Sequence, residues 1–160
     1  MNNISSEENM SLISAVESKP YLLDTSAILS FIEDEAGADR VEEALKKSTT
    51  LLPWTVLLET YYITLQEEGQ AEADRRIALL RQLKVIVLWN MDEATLLTAA
   101  RLKAKFRVSL ADAIIAAFAI RNDAVLMHKD PEFDALTGLL PMEALPYKKP
   151  GNKAGKSEKI

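Results

Sequence analysis

Cysteine is absent from the 160 residues, which excludes a disulfide framework, thiolate zinc and cysteine nucleophiles and fits a reducing, cytoplasmic setting. Histidine occurs once, at His128, so imidazole chemistry has a single candidate. Long apolar runs are missing too. AIIAAFAI, at 113–120, is far too short to span a bilayer, so no membrane association is expected. The N-terminal stretch MNNISSEENMSLISAVESK has no basic region leading into an apolar one and does not read as a signal peptide. Positive charge is scarce where it would be most useful. The chain carries a net −5, but residues 148–160 hold +4 and residues 1–20 hold −2, leaving −7 on 21–147. A protein that grips nucleic acid by counterion release alone is normally basic. Any nucleic-acid role here therefore needs a local basic strip, a metal ion or a partner.

What remains is the composition of one globular domain, with 48% hydrophobic and 27% charged residues. Short apolar runs at YLLD (21–24), VIVL (85–88) and AVLM (124–127), with weaker ones at TLLP (50–53) and MEAL (142–145), suit buried parallel strands. Amphipathic helical patterns fill the intervals: SAILSFIEDE, GADRVEEALKK, TVLLETYYITLQEEG, EADRRIALLRQL, MDEATLLTAARLKAKF and SLADAIIAAFAIRN. Alternating strand and helix predicts an α/β fold, a mainly parallel sheet of four to five strands with helices on both faces. The core is expected over 21–147. Residues 1–20 and the Lys-rich 148–160 read as flexible extensions.

Four carboxylates stand in unusual company. Asp24 ends the first strand and Asp130 follows the AVLM strand, so both fall on the edge where open parallel sheets bind ligands. Glu59 lies in the apolar helix VLLETYYITL, and Asp112 is the one polar residue between Leu110 and Ile120. A carboxylate in such surroundings is costly unless something compensates it. Each has a purely structural reading as well: Asp24 or Ser26 caps a helix, Ser109 to Asp112 has capping-box spacing, Glu59 sits on a solvated helix edge, and Asp130-Pro131 opens a turn. Together they specify more. Oxygen-only donors without cysteine point to a hard cation such as Mg²⁺ or Mn²⁺, which suits phosphoryl chemistry.

LLDTSAIL around Asp24, LLETYY around Glu59, SLADAIIAAFA around Asp112 and HKDPEFDAL around Asp130 resemble the four acidic motifs of PIN-domain ribonucleases, most of all the VapC toxins of VapBC toxin-antitoxin pairs. The resemblance runs from about Tyr21 to Tyr147. It implies a three-layer α/β/α domain, commonly a homodimer, that cuts structured RNA such as tRNA or rRNA with Mg²⁺ or Mn²⁺ and is held inactive by a VapB-like antitoxin. It makes Asp24, Glu59, Asp112 and Asp130 the acidic residues of the site, with Ser26 as the hydroxyl that orients a water or an acid. His128 stands where many members of the family have Thr or Ser, which leaves Asp130 and Asp134 as rival fourth acids. His128 itself is expected at the surface.

RLKAKFR, with Arg101, Lys103, Lys105 and Arg107, is the candidate RNA strip; equally, it reads as a solvated helix C-terminus. Arg75 and Arg76 read as ordinary surface charge. The helices bearing Tyr61, Tyr62, Leu79, Leu80 and Leu83 offer apolar surface to a second copy, an antitoxin or the domain's own core. A PIN-like domain that binds RNA or protein without cutting is the alternative function. A phosphatase using Asp24 as phosphoryl acceptor is disfavoured, because Ser26 stands where a second aspartate is needed.

Overall fold

The computed structural model describes residues 18–147. Both extensions expected at the chain ends fall largely or wholly outside those residues. Strand β1 (Tyr21–Leu23) leads into helices α1 (Thr25–Ile32) and α2 (Ala38–Lys47), then β2 (Thr50–Pro53). Helices α3 (Trp54–Glu67) and α4 (Gln70–Gln82) follow, then β3 (Ile86–Leu88), α5 (Glu93–Lys105) and α6 (Leu110–Arg121). The chain closes with β4 (Val125–His128), a 3₁₀ helix (Pro131–Leu136) and β5 (Met142–Ala144). The expected α/β class holds: five parallel strands in the order β3-β2-β1-β4-β5 form the middle of three layers.

That order places the site. From β1 the chain steps outward to β2 and β3, then returns across the sheet to β4 on the other flank of β1. The β1–β4 boundary, with Leu23 in register with Met127, is the topological switch point, where strand ends diverge and leave a crevice. Because all strands run the same way, residues following β1 and β4 emerge on one edge. Helix α6 runs directly into β4, so its first turn, which holds Asp112, lies at that edge as well.

Packing explains why the strands are so short and apolar. Leu22, Leu23, Leu52 and Leu126 are fully buried, as expected when helices cover both faces of a sheet. TLLP, a weak strand candidate by sequence, is buried throughout because β2 lies between β1 and β3. Gly37 joins α1 to α2 at φ +100°, and a Cβ there would lie 3.1 Å from that of Leu145. Conformation and space both demand glycine at this turn.

Arg76 corrects a sequence expectation. It is 5% exposed, and its guanidinium donates to Glu33 at 2.9 Å, to Glu72 at 3.0 Å and to Glu68. Glu33 and Glu68 cap the C-termini of α1 and α3, so one planar cation with several donors ties three helices together. Arg76→Met removes the cation and strands its carboxylates. An expected loss of about 2 kcal/mol, below the figure for fully buried pairs because the glutamates stay partly hydrated, is to be read from urea unfolding.

The apolar side chains of α3 and α4 divide between core and surface. Leu80 is buried, whereas Leu58, Tyr62 and Trp89 on β3's flank stay 54%, 42% and 65% exposed. Leu57, Ile77 and Trp54 line a groove of about 630 Å³ beside them.

Candidate metal centre

Asp24 is both helix cap and candidate site residue. Directly after β1, it takes the N-cap position of α1, where its carboxylate accepts from the backbone N–H and the hydroxyl of Ser26. The Ser26 hydroxyl in turn accepts from the backbone N–H of Lys129 at 2.8 Å. A single hydroxyl thus joins the end of β1 to the end of β4 across the crevice. Thr25 donates to Glu59 Oε2 at 2.6 Å, which anchors the carboxylate of α3 to the same turn.

Asp112 occupies the first turn of α6, where its backbone N–H donates to the Ser109 hydroxyl at 3.0 Å. The capping reading is therefore correct as far as the backbone goes. It leaves the carboxylate, 7% exposed, to be explained. Asp130 caps the 3₁₀ helix and accepts from the backbone N–H of Glu132 at 2.9 Å. This tight turn brings the Glu132 side chain alongside. Oxygens of Asp112, Asp130 and Glu132 lie within 4.8 Å of one another.

The electrostatics are those of an uncompensated cluster. Burial, opposed by the donors of Ser26 and reinforced by the charge of Glu59, pushes the Asp24 carboxyl from 3.8 up to about 6. Burial raises Asp112 to about 7, with Asp24, Asp130 and Glu59 adding repulsion and Ser109 opposing it. The largest causes of both shifts are burial, nearby hydroxyls and neighbouring acids. Carboxylates gathered in this way fit a hard divalent cation, which prefers oxygen donors.

The sequence candidates separate accordingly. Asp112 and Asp130 meet directly, and Asp24 and Glu59 reach Asp112 through their fields. Asp134 accepts from the Tyr147 hydroxyl at 3.2 Å and stands outside the cluster. Glu132, which the sequence reading passed over, joins it; the signal was the acid two positions beyond a capping Asp-Pro. His128 is not at the surface. It is 1% exposed, its ring tilted 5.0 Å from that of Phe133 and its Nδ1 unpartnered, and burial lowers its pKa. As the last residue of β4 it pairs with Ala144 of β5, and the Tyr147 ring lies 6.5 Å away. The basic strip is exposed at Arg101, Lys103, Lys105 and Arg107, although the Lys103 ammonium donates to the Val108 carbonyl at 2.8 Å.

Comparison with known proteins gives a consistent picture. The family model of the PIN domain matches residues 21–139. No curated protein matches the chain. Among solved structures, VapBC2 from Rickettsia felis, bound to a DNA fragment from the promoter, aligns with a TM-score of 0.66 at 16% identity, covering 79% of this chain and 98% of that one. VapBC-1 from nontypeable Haemophilus influenzae aligns at 0.62 and 24% identity over 78% and 96% of the two chains. Mycobacterium tuberculosis VapC20, described as a sarcin-ricin loop cleaving toxin, aligns at 0.62 and 17% identity over 79% and 99%. At these identities the likeness is one of fold.

Proposed function

Because this chain belongs to the PIN domain family, we propose that it is a metal-dependent endoribonuclease cutting structured RNA, and the toxin of a toxin-antitoxin pair. The observation that carries the reading is the convergence of Asp112, Asp130 and Glu132 at the switch point, with Asp24 and Asp112 pushed far above the usual carboxylate range. Such a cluster is costly to the fold and gives nothing back without a cation.

Asp112, Asp130 and Glu132 would hold Mg²⁺ or Mn²⁺, with Asp24 and Glu59 completing the acidic wall. Bound there, the cation would supply charge stabilisation at the scissile phosphate and acidify an attacking water. The chain's own residues do the positioning. Ser26 and the Lys129 N–H hold the Asp24 carboxylate in one orientation, and Thr25 does the same for Glu59. Fixed acids spare reorganisation when charge develops. Attack of water in line on phosphorus breaks the bond to the 3′ oxygen and leaves 5′-phosphate and 3′-hydroxyl ends.

The VapC likeness supports an antitoxin partner of the VapB kind, and the exposed Leu58, Tyr62 and Trp89 give such a partner or a second copy apolar surface to cover. The test is cleavage of a tRNA and rRNA-fragment panel by purified protein with Mg²⁺. Cleavage is expected, together with its loss in Asp130→Asn and its retention in Asp134→Asn. An intact panel at every metal concentration overturns the reading.

A further inference from the structure

Half of the fourteen lysines and arginines in residues 18–147 lie within ion-pairing distance of a carboxylate. Of the rest, Arg121 contributes its field to Asp92, and Arg81 and Lys84 make only a pair. The remaining four follow one another at Arg101, Lys103, Lys105 and Arg107. Among the described residues, this is the one place where unneutralised positive charge accumulates on an acidic domain.

The structure distinguishes among the four. Lys103 is spent on the Val108 carbonyl, where it closes the α5–α6 turn. Thr98, Arg101, Leu102 and Lys105 fall at helical spacing on one stripe of α5. With Phe106 and Leu139 they line a cavity of about 220 Å³ that no carboxylate enters. Its two walls lead to the acidic cluster. Phe106 is followed by the short loop to Ser109 and Asp112, and Leu139 follows the 3₁₀ helix that Asp130 caps. An aromatic ring lining the same cavity as two cations is the chemistry by which proteins hold a nucleotide, the cations on phosphate and the ring against a base.

We propose that Arg101 and Lys105, with Phe106 in the same cavity, form an RNA subsite that holds two backbone phosphates and a base beside the cleavage centre. This rests on the ribonuclease reading above and adds to it the means by which a net-negative domain retains a polyanion. Arg107, exposed on the loop to α6, extends the path toward Asp112.

The experiment measures binding of a fluorescein-labelled RNA hairpin to Asp24→Asn protein by anisotropy, in Mg²⁺, across a salt series. Adding Arg101→Gln and Lys105→Gln together is expected to weaken binding roughly tenfold at low salt and to flatten the dependence of log Kd on log salt by about 1.5, as two phosphate contacts are lost. Lys46→Gln with Lys47→Gln, which removes cations already paired to Glu42 and Glu43, is expected to leave the slope nearly unchanged. Thermal melts confirm that each variant is folded. Unchanged affinity and slope in the Arg101/Lys105 variant overturn this proposal alone. Absence of RNA binding by the Asp24→Asn parent overturns the ribonuclease reading along with it.

Discussion

Asp112→Asn is expected to abolish RNA cleavage and yet, in EDTA at pH 8, to melt at a higher temperature than the unaltered chain. Asp112 is 7% exposed, with a carboxyl raised to about 7 by burial and by three neighbouring acids. At pH 8 the folded protein therefore holds a charge it would shed if it could. The amide keeps the shape and the backbone bond to Ser109 while removing that charge. At about 1.4 kcal/mol per pKa unit, with an allowance for an imperfectly paired amide, the gain is on the order of 2 kcal/mol. Cleavage moves the opposite way. A lost anchor for a cation that supplies several kcal/mol of transition-state stabilisation costs roughly 10³-fold or more. Gel-based cleavage and calorimetry on one preparation read both effects. A variant that is inactive but less stable than the parent would assign Asp112 to helix capping alone.

In the unaltered chain, the stabilisation given by Mg²⁺ is expected to be large at pH 8 and to vanish near pH 5. Asp24 and Asp112 titrate near 6 and 7 in the folded state, against an ordinary 3.8. Between those values the folded state retains protons that the unfolded chain has released, so metal-free stability falls as pH rises from about 4 to about 7. His128, lowered by burial, works in the opposite sense between its folded value and 6.5, one proton against two. Carboxyls lowered by their partners, such as Glu72 at about 2 and Asp92 below 3.8, lose their contribution only under more acidic conditions. A divalent cation binds the ionised cluster of the folded form and restores what repulsion removed. Calorimetry from pH 5 to 8, with Mg²⁺ or EDTA, is expected to show two curves that separate with rising pH. Curves that stay parallel throughout would mean that the acids do not hold the metal.

The sequence made the sheet legible because its strands are short apolar runs between amphipathic helices, and it made Asp24 and Asp112 legible because a lone acid in an apolar run is conspicuous. Features that depend on distant neighbours were not legible. Nothing around Arg76 marks it as buried; its enclosure comes from Glu33 and Glu68, which arrive at the ends of two other helices. His128 reads as a surface residue because metal-activated water needs no imidazole base, but β4 extends one residue beyond the AVLM run and the rings of Phe133 and Tyr147 lie near the buried imidazole. Glu132 joins the acidic cluster because a side-chain cap at Asp130 turns the chain by two residues, a geometry that residue identity alone does not convey. Only the structure puts Asp130 beside Asp112 and Asp134 beside Tyr147.

The hydroxyl of Ser26 and the amide of Lys129 meet from positions 103 residues apart. Pairings of such separation are slow to form, since the chain entropy of a long loop is lost before the contact repays it. The central strand therefore stays open on one flank until the last quarter of the domain has docked. During synthesis, a nascent chain can display Asp24, Glu59 and even Asp112 without having a crevice to put them in. Any product of interrupted translation or early proteolysis that lacks β4 is expected to be inert in an RNA-cleavage assay. For a protein proposed to act on the RNA of its own cell, competence arrives only with completion.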